Sequence, residues 1–425
     1  MVAIDTRAGP RPARGRNPDP FARYTLVRRL TERLAAPLTA EDQNLQSMPE
    51  ASPTKWHLAH TSWFFEAVVL EPSGTGYRAF DPAFSYLFNS YYEAMGPRHP
   101  RPARGLLSRP ALNDVLAYRA YVDTGMARLF DSGEAEHWTS LIELGLNHEE
   151  QHQELILTDI KHAFSCNPLL PSYVPFDRGG GQAGMLRWTD FRGGIVAVGH
   201  DGPGFAFDNE LPRHEVLLRP YRLADRLVTC GEYLTFMDED GYARPEFWLS
   251  DGWARVQELG WTAPLYWSRE GDEWRCFTLG GVKPVDPEEP VAHVSLYEAA
   301  AYAAWAGKRL PTEFEWEAAA AAVPFEGSFL NTPSPHPLPA GAGPGLRQMF
   351  GDAWEWTRSS YDPYPGFRPL AGVGAEYNGK FMVGQMVLRG GSCATPQGHV
   401  RTSYRNFFPP AARWQFSGIR LAEDA

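Results

Sequence analysis

The stretch Asn147–Glu154, NHEEQHQE, lies in a segment from about Glu134 to Ala163 whose apolar spacing predicts a long helix. His148 and His152 are four residues apart. At about 100° per residue that is roughly 400° of rotation, so both imidazoles leave one face a turn apart. One helix can offer a metal two neighbouring ligands in this way. The run from His148 to His152 also fits the short HExxH pattern, with Glu149 after the first histidine, so a zinc hydrolase has to be weighed. Two histidines at this spacing are otherwise an ordinary exposed polar face, and the reading turns on a third ligand. Glu154, roughly 200° round the helix from His152, is read as an ion-pair partner outside any ligand set.

Three further helices are expected upstream. Phe21–Ala36 carries Leu26, Leu30 and Leu34, and Lys55–Leu70 follows a Pro53 suited to a first turn. Pro110–Phe130 carries Leu112, Val115, Tyr118, Val122, Met126 and Leu129. Four such helices make a bundle with one long connection, Glu71–Ser108. That connection exceeds the ~12–15 residues of an ordinary loop and is rich in aromatics, so it is expected to be ordered and functional. The second helix contains WHLAH, so His57 and His60 both compete for the place of third ligand.

Downstream the texture changes. Cys166–Gly184 is rich in Pro and Gly and reads as a crossing between domains. Beyond it, short strand-like pieces (Gly194–Val198, Glu215–Leu218) alternate with turns and two short helices near Ser295–Ala306 and Thr312–Ala321. The expected organisation is a disordered lead over residues 1–20, a helical bundle over 21–165, a linker over 166–186 and a mixed domain over 187–425, an α+β protein.

The 425 residues hold 40 Lys+Arg against 51 Asp+Glu, a net charge of −11 that argues against nucleic-acid binding through phosphates. A hydrophobic share of 43% supplies ordinary cores, and 14 Trp with 40 Gly and 37 Pro indicate a loop-rich body packed with large aromatics. No apolar run approaches the ~18 residues of a membrane helix, and the N-terminus lacks the apolar core of a signal peptide. Cys166, Cys230, Cys276 and Cys393 form no CxxC pair, so a cytoplasmic protein with reduced thiols is expected.

Val291–Ala321 (VAHVSLYEAAAYAAWAGKRLPTEFEWEAAAA), GDAWEWTRSSY at Gly351–Tyr361, LRGGS at Leu388–Ser392 and FSGIRLA at Phe416–Ala422 resemble the formylglycine-generating-enzyme-like (FGE-sulfatase) fold, a relative of C-type lectins. A DinB-like four-helix bundle followed by such a domain resembles the ergothioneine-biosynthesis sulfoxide synthases (EgtB type), over about Phe21 to Leu421. The resemblance implies iron(II) held by one histidine in a W-x-x-A-H context and two from HxxxHxE: here His60, His148 and His152. His57 then has a supporting or structural part. Three neutral imidazoles leave positions open for oxygen and substrates, as the two-His-one-carboxylate site does. A zincin fits less well, because its third ligand usually lies downstream of the motif.

The same resemblance assigns the remaining site residues. Within Phe88–Pro110, Tyr91 and Tyr92 are similar to a pair in the variant that uses free cysteine in place of γ-glutamylcysteine. There one tyrosine donates a proton or hydrogen at the iron, a task suited to a phenol. Neighbouring side chains of an extended segment leave on opposite sides, so one alone, Tyr92 by preference, is expected to face the metal. Arg101 and Arg104 match positions that clamp the cysteine carboxylate. Asn406, Phe407 and Phe408 match residues that bind N-α-trimethylhistidine, whose quaternary ammonium aromatic faces attract, and Gln151 matches a glutamine that reaches its carboxylate.

Members using γ-glutamylcysteine carry an acidic residue and an arginine after the equivalent of Asn406. Here Phe408 and Ala412 stand near those places, with Arg413 next, which favours cysteine. The implied reaction joins the sulfur of cysteine to C2 of the trimethylhistidine imidazole with O2 and oxidises it to a sulfoxide. The partners are small molecules, with no nucleic acid and no membrane, and the oligomeric state stays open. Three alternatives remain. An ovothiol-type enzyme usually carries a methyltransferase domain, for which no glycine motif is seen. A formylglycine-generating oxidase lacks its cysteine pair around Cys393. A passive ligand-binding module would not depend on the three histidines.

Overall fold

The computed structural model describes residues 19–425. The chain forms two compact units: one reaches Val174 and adds Leu370–Tyr377, and the other comprises Pro175–Pro369 and Asn378–Ala425. The linear boundary at residue 187 had placed Leu370–Tyr377 with the second domain. Its contacts, described below, bring it to the first. Of the expected disordered lead, residues 1–18 lie outside the described residues. Asp19 and Pro20 belong instead to the first helix, where the Asp19 carboxylate accepts from the Phe21 N–H and Pro20 opens the first turn.

The first unit holds helices α1 (Pro20–Ala35), α2 (Thr54–Phe65), α3 (Ala83–Phe88), α4 (Leu112–Asp131) and α5 (Thr139–Ser165). A π-helical turn, Glu66–Leu70, prolongs α2, and a tight 3-10 turn, Glu134–Trp138, leads into α5. The long connection is ordered, with α3 and 3-10 turns at Glu93–Met95 and Arg101–Leu106. α5 packs on α1 and α2, and α2 also packs on α4. Every residue of α2 is buried, so its polar groups must find protein partners. Lys55 Nζ donates to Leu107 O (2.7 Å), Trp56 Nε1 to Leu87 O (3.2 Å), and Ser62 Oγ accepts from Arg28 (2.9 Å).

The strands of the second unit are β1 (Trp188–Phe191), β2 (Gly194–Val198), β3 (His214–Leu218), β4 (Tyr221–Ala224), β5 (Trp267–Glu270), β6 (Glu273–Thr278), β7 (Gly281–Pro284), β8 (Gly327–Ser328), β9 (Phe350–Gly351), β10 (Trp354–Ser360), β11 (Met386–Arg389), β12 (Asn406–Phe408), β13 (Ser417–Gly418) and β14 (Ala422–Asp424). The largest sheet runs β12-β11-β10-β13, and smaller ones run β1-β4-β14, β5-β6-β7, β2-β3 and β8-β9. Its helices are α6 (Cys230–Asp238), α7 (Ser250–Leu259), α8 (Leu296–Trp305) and α9 (Glu313–Ala320). The sequence reading expected α8 and α9 alone. α6 opens on Thr229 with Glu232 three residues on, the same capping box that starts α8 (Ser295, Glu298) and α9 (Thr312, Glu315). The four cysteines are free, and among the described residues no helix is long and apolar enough to cross a membrane.

Candidate metal centre

His60 from α2 and His148 and His152 from α5 converge, with one nitrogen of each within 4.8 Å of the others and all three rings buried. His60 Nδ1 lies 2.6 Å from Phe88 O. A carbonyl can only accept, so Nδ1 carries the proton and Nε2 keeps its lone pair. That Nε2 is 3.2 Å from His148 Nε2, a separation at which two ring nitrogens must share either a proton or a cation. The plane of His60 is fixed between two indoles of its own helix, Trp56 (4.5 Å, 16°) and Trp63 (5.5 Å, 13°). His152 Nδ1 lies 2.7 Å from His57 Nδ1, which leaves His152 Nε2 for the cluster. Burial, then the neighbouring imidazoles, pushes His60 and His152 far below the usual histidine range, and burial pushes His148 down to about 3. The rings are therefore neutral near neutral pH, the form in which imidazole binds a metal.

Glu149 points away from this cluster. Its carboxylate accepts from Arg28 (3.0 Å), Thr31 Oγ1 (2.7 Å) and Arg119. Burial opposes its charge, yet Arg119 and Arg28 hold its pKa down to about 2. A carboxylate saturated by two guanidinium groups is no general base for a metal-bound water, so the HExxH match is structural here.

The tyrosine pair departs from expectation. Tyr91 and Tyr92 do not leave on opposite sides; their rings stack at 4.6 Å and 28°. The backbone is a turn, not an extended strand. Asn89 closes it, accepting from the Tyr92 N–H (3.2 Å) and donating to Tyr92 O (3.0 Å) and Gly96 O (3.1 Å). Tyr92 is fully buried against Trp63 (5.5 Å), and Tyr91 is half-buried. A third phenol, absent from the sequence reading, joins them. Tyr377 lies 5.8 Å from the His148 ring and 6.2 Å from Tyr91, and its hydroxyl donates to Gln151 Oε1. Its segment is latched by Glu376, whose carboxylate accepts from the N–H groups of Glu93 (3.0 Å) and Ala94 (2.9 Å). No local pattern could signal Tyr377, because Gln151 is 226 residues away in the chain.

The two expected arginine clamps separate. Arg101 is exposed and donates to Glu50 O. Arg104 is buried, lies 3.4 Å over Trp56, and donates to Ser52 Oγ (2.9 Å) and Ser90 Oγ (3.2 Å). It forms no ion pair with a carboxylate among the described residues, and burial and then Arg101 push its pKa down to about 8. Because a guanidinium keeps its proton in proteins, this marks a buried cation short of an anion.

In the second unit, β12 carries Asn406, Phe407 and Phe408. Phe407 stacks on Tyr361 (4.1 Å, 11°), Phe408 meets Trp414 edge-on (5.6 Å), and Asn406 Oδ1 accepts from the Phe407 N–H (2.9 Å). Arg413 is already engaged, paired with Glu298 (2.9 Å) and set against Trp261 (4.2 Å). Cys393 is buried.

Against known proteins, the DinB superfamily domain matches residues 23–156, and the sulfatase-modifying factor enzyme 1-like domain matches 191–332 and 327–425. The chain is 34% identical to the hercynine oxygenase of Mycolicibacterium smegmatis, covering 95% of this chain and 100% of that protein. It is 35% identical to the hercynine oxygenase of Mycobacterium tuberculosis, covering 88% and 92%. It is 30% identical to the formylglycine-generating enzyme of Streptomyces coelicolor, covering 55% and 88%.

Proposed function

The chain belongs to the hercynine oxygenase family, the sulfoxide synthases of ergothioneine biosynthesis, and we propose that it joins the sulfur of cysteine to C2 of the N-α-trimethylhistidine (hercynine) imidazole, using iron(II) and O2 and giving the sulfoxide. The observation that carries the metal reading is the meeting of three buried, neutral imidazoles, two of them with Nδ1 already hydrogen-bonded. Such a donor set fits iron(II), which would activate O2 and hold thiolate and imidazole together, removing much of the encounter entropy.

The other residues of the proposal act around it. Arg104 would bind the cysteine carboxylate, which supplies the anion that its buried guanidinium lacks. Gln151 would hold the trimethylhistidine carboxylate and, through its hydrogen bond, Tyr377. A phenol from Tyr92, Tyr91 or Tyr377 would deliver the proton that keeps the sulfur on the coupling path. The role of Arg101 as a second clamp, and of Asn406, Phe407 and Phe408 toward the trimethylammonium group, rests on the sequence resemblance. The engagement of Arg413 with Glu298 favours cysteine over γ-glutamylcysteine, since this arginine is already paired and is not held ready for the extra carboxylate. A cytoplasmic setting, where both amino-acid substrates are at hand, completes the reading.

The test is anaerobic loading with iron(II), then O2 with trimethylhistidine and either thiol, and mass spectrometry of the product. The cysteine sulfoxide adduct is expected, with a higher kcat/KM than for γ-glutamylcysteine. A preference for γ-glutamylcysteine reverses the donor assignment, and product formation without iron(II) sinks the metal assignment.

A further inference from the structure

We propose that His57 and Asp159 are positioning residues for the metal, fixing which nitrogen of His152 carries the proton. The proposal rests on the reading of His60, His148 and His152 as ligands. His152 Nδ1 and His57 Nδ1 are 2.7 Å apart, so one of them donates and the other accepts. The far side of His57 decides which. His57 Nε2 lies 3.1 Å from Asp159 Oδ2, and the same oxygen accepts the Ser52 backbone N–H at 2.8 Å. A carboxylate oxygen only accepts, so His57 donates from Nε2. With His57 neutral, its Nδ1 is a lone pair, and the shared proton belongs to His152 Nδ1. His152 is left with an unprotonated Nε2, the form a metal requires.

No group changes its charge along this chain; only the direction of two hydrogen bonds is set. The opposite direction would place the His152 proton on Nε2 and block the ligand. His57 (2% exposed), Asp159 (6%) and His152 (8%) are all buried, so the direction is set by protein groups. His60 meets the same requirement with the Phe88 carbonyl. His57 thus acts through His152 although it is not itself a ligand.

Substitutions at His57 separate this role from packing. Gln can offer its amide N–H to Asp159 and its carbonyl oxygen to His152, keeping the direction, whereas Leu offers neither. The measurements are anaerobic iron(II) titration of the metal-free full chain and the absorption spectrum of the cobalt(II) form, with circular dichroism as a check of folding. His57→Leu and Asp159→Leu should weaken iron(II) binding about 10–100-fold and alter the cobalt spectrum, while His57→Gln stays within about threefold of the parent. Parent-like affinity in His57→Leu overturns the proposal, as does a folded His57→Gln as weak as His57→Leu. If His57→Leu does not fold, His57→Lys, which can only donate and has Asp159 as counter-ion, takes its place, and parent-like affinity there is equally fatal. A parent chain that binds no iron, or a His60→Ala variant that binds it unchanged, instead sinks the ligand assignment beneath the proposal.

Discussion

In the second unit, Arg389 lies 2.9 Å from both Glu313 and Glu317, Arg405 reaches Glu313 at 2.8 Å, and Arg420 reaches Glu355 at 2.7 Å. In the first, Arg104 is as thoroughly buried and has two serine hydroxyls for company, while three imidazoles face one another with no acid among them. Burial is alike in the two regions, and completion is not. A buried charge with its counter-charge in place is part of the scaffold, whereas one left without it is held ready for something that arrives later. Glu149 shows that the distinction is local, since it lies beside His148 in sequence and its carboxylate accepts from Arg28, Arg119 and Thr31.

The sharpest way to break this comparison is to remove the incomplete set itself. His60→Ala, His148→Ala and His152→Ala should each abolish turnover and bound iron, measured as metal content after anaerobic loading, while the parent holds one iron per chain. Retained iron in any of the three removes that residue from the set.

Next in size are the phenols. Tyr92→Phe or Tyr377→Phe should slow sulfoxide formation about 100-fold or more, or divert cysteine to its sulfinate, with iron still bound. Tyr91→Phe, at the half-exposed ring, should do much less. Parent rates in all three, with no sulfinate, would show that the proton comes from elsewhere.

The comparison also explains what could be read from the chain. Helix periodicity gave the four long helices to within a few residues, and HxxxH spacing gave the two cis histidines, because both are set by neighbours three and four residues apart. WHLAH narrowed the third ligand to two candidates, and resemblance chose between them. What stayed hidden depends on contacts distant in sequence or on turn geometry: Asp159 behind His57, the Asn89 turn that stacks Tyr91 on Tyr92, and the Tyr377 segment. The π-helical turn after Phe65 was equally invisible, since its residues continue the apolar helical pattern.

A paired substitution then tests the distinction in energy. Arg389→Leu leaves buried Glu317 without its cation and takes one of two from Glu313, and should cost about 3–5 kcal/mol in denaturant unfolding. Arg104→Leu removes a cation that has no carboxylate in ion-pair contact among the described residues and should cost less than about 1 kcal/mol, while the KM for cysteine rises at least about tenfold and that for trimethylhistidine stays. Arg101→Leu, at an exposed position, should move the same KM less. Equal destabilisation by Arg389→Leu and Arg104→Leu would mean that Arg104 is also scaffold.

The smallest effect concerns a buried acid in the second unit, Asp352, that breaks its rule. Asp352 is buried, accepts from the Leu338 N–H at 2.9 Å, and has no ion pair among the described residues; burial raises its pKa to about 7. An unfolded aspartate titrates near 3.9, so between about pH 4 and 7 the native state binds more protons than the unfolded one. Stability is therefore lost as pH rises through that window, and the loss is complete above it. Asn at this position keeps the acceptor oxygen, tolerates the left-handed backbone (φ 55°) and cannot ionise. Asp352→Asn should thus stabilise the chain by about 1–2 kcal/mol at pH 8 and leave it unchanged near pH 4, read from denaturant midpoints at the two pH values. A gain of the same size at both would assign the effect to packing. A loss at pH 8 would mean that the charged carboxylate has a partner of its own and that the second unit is complete throughout.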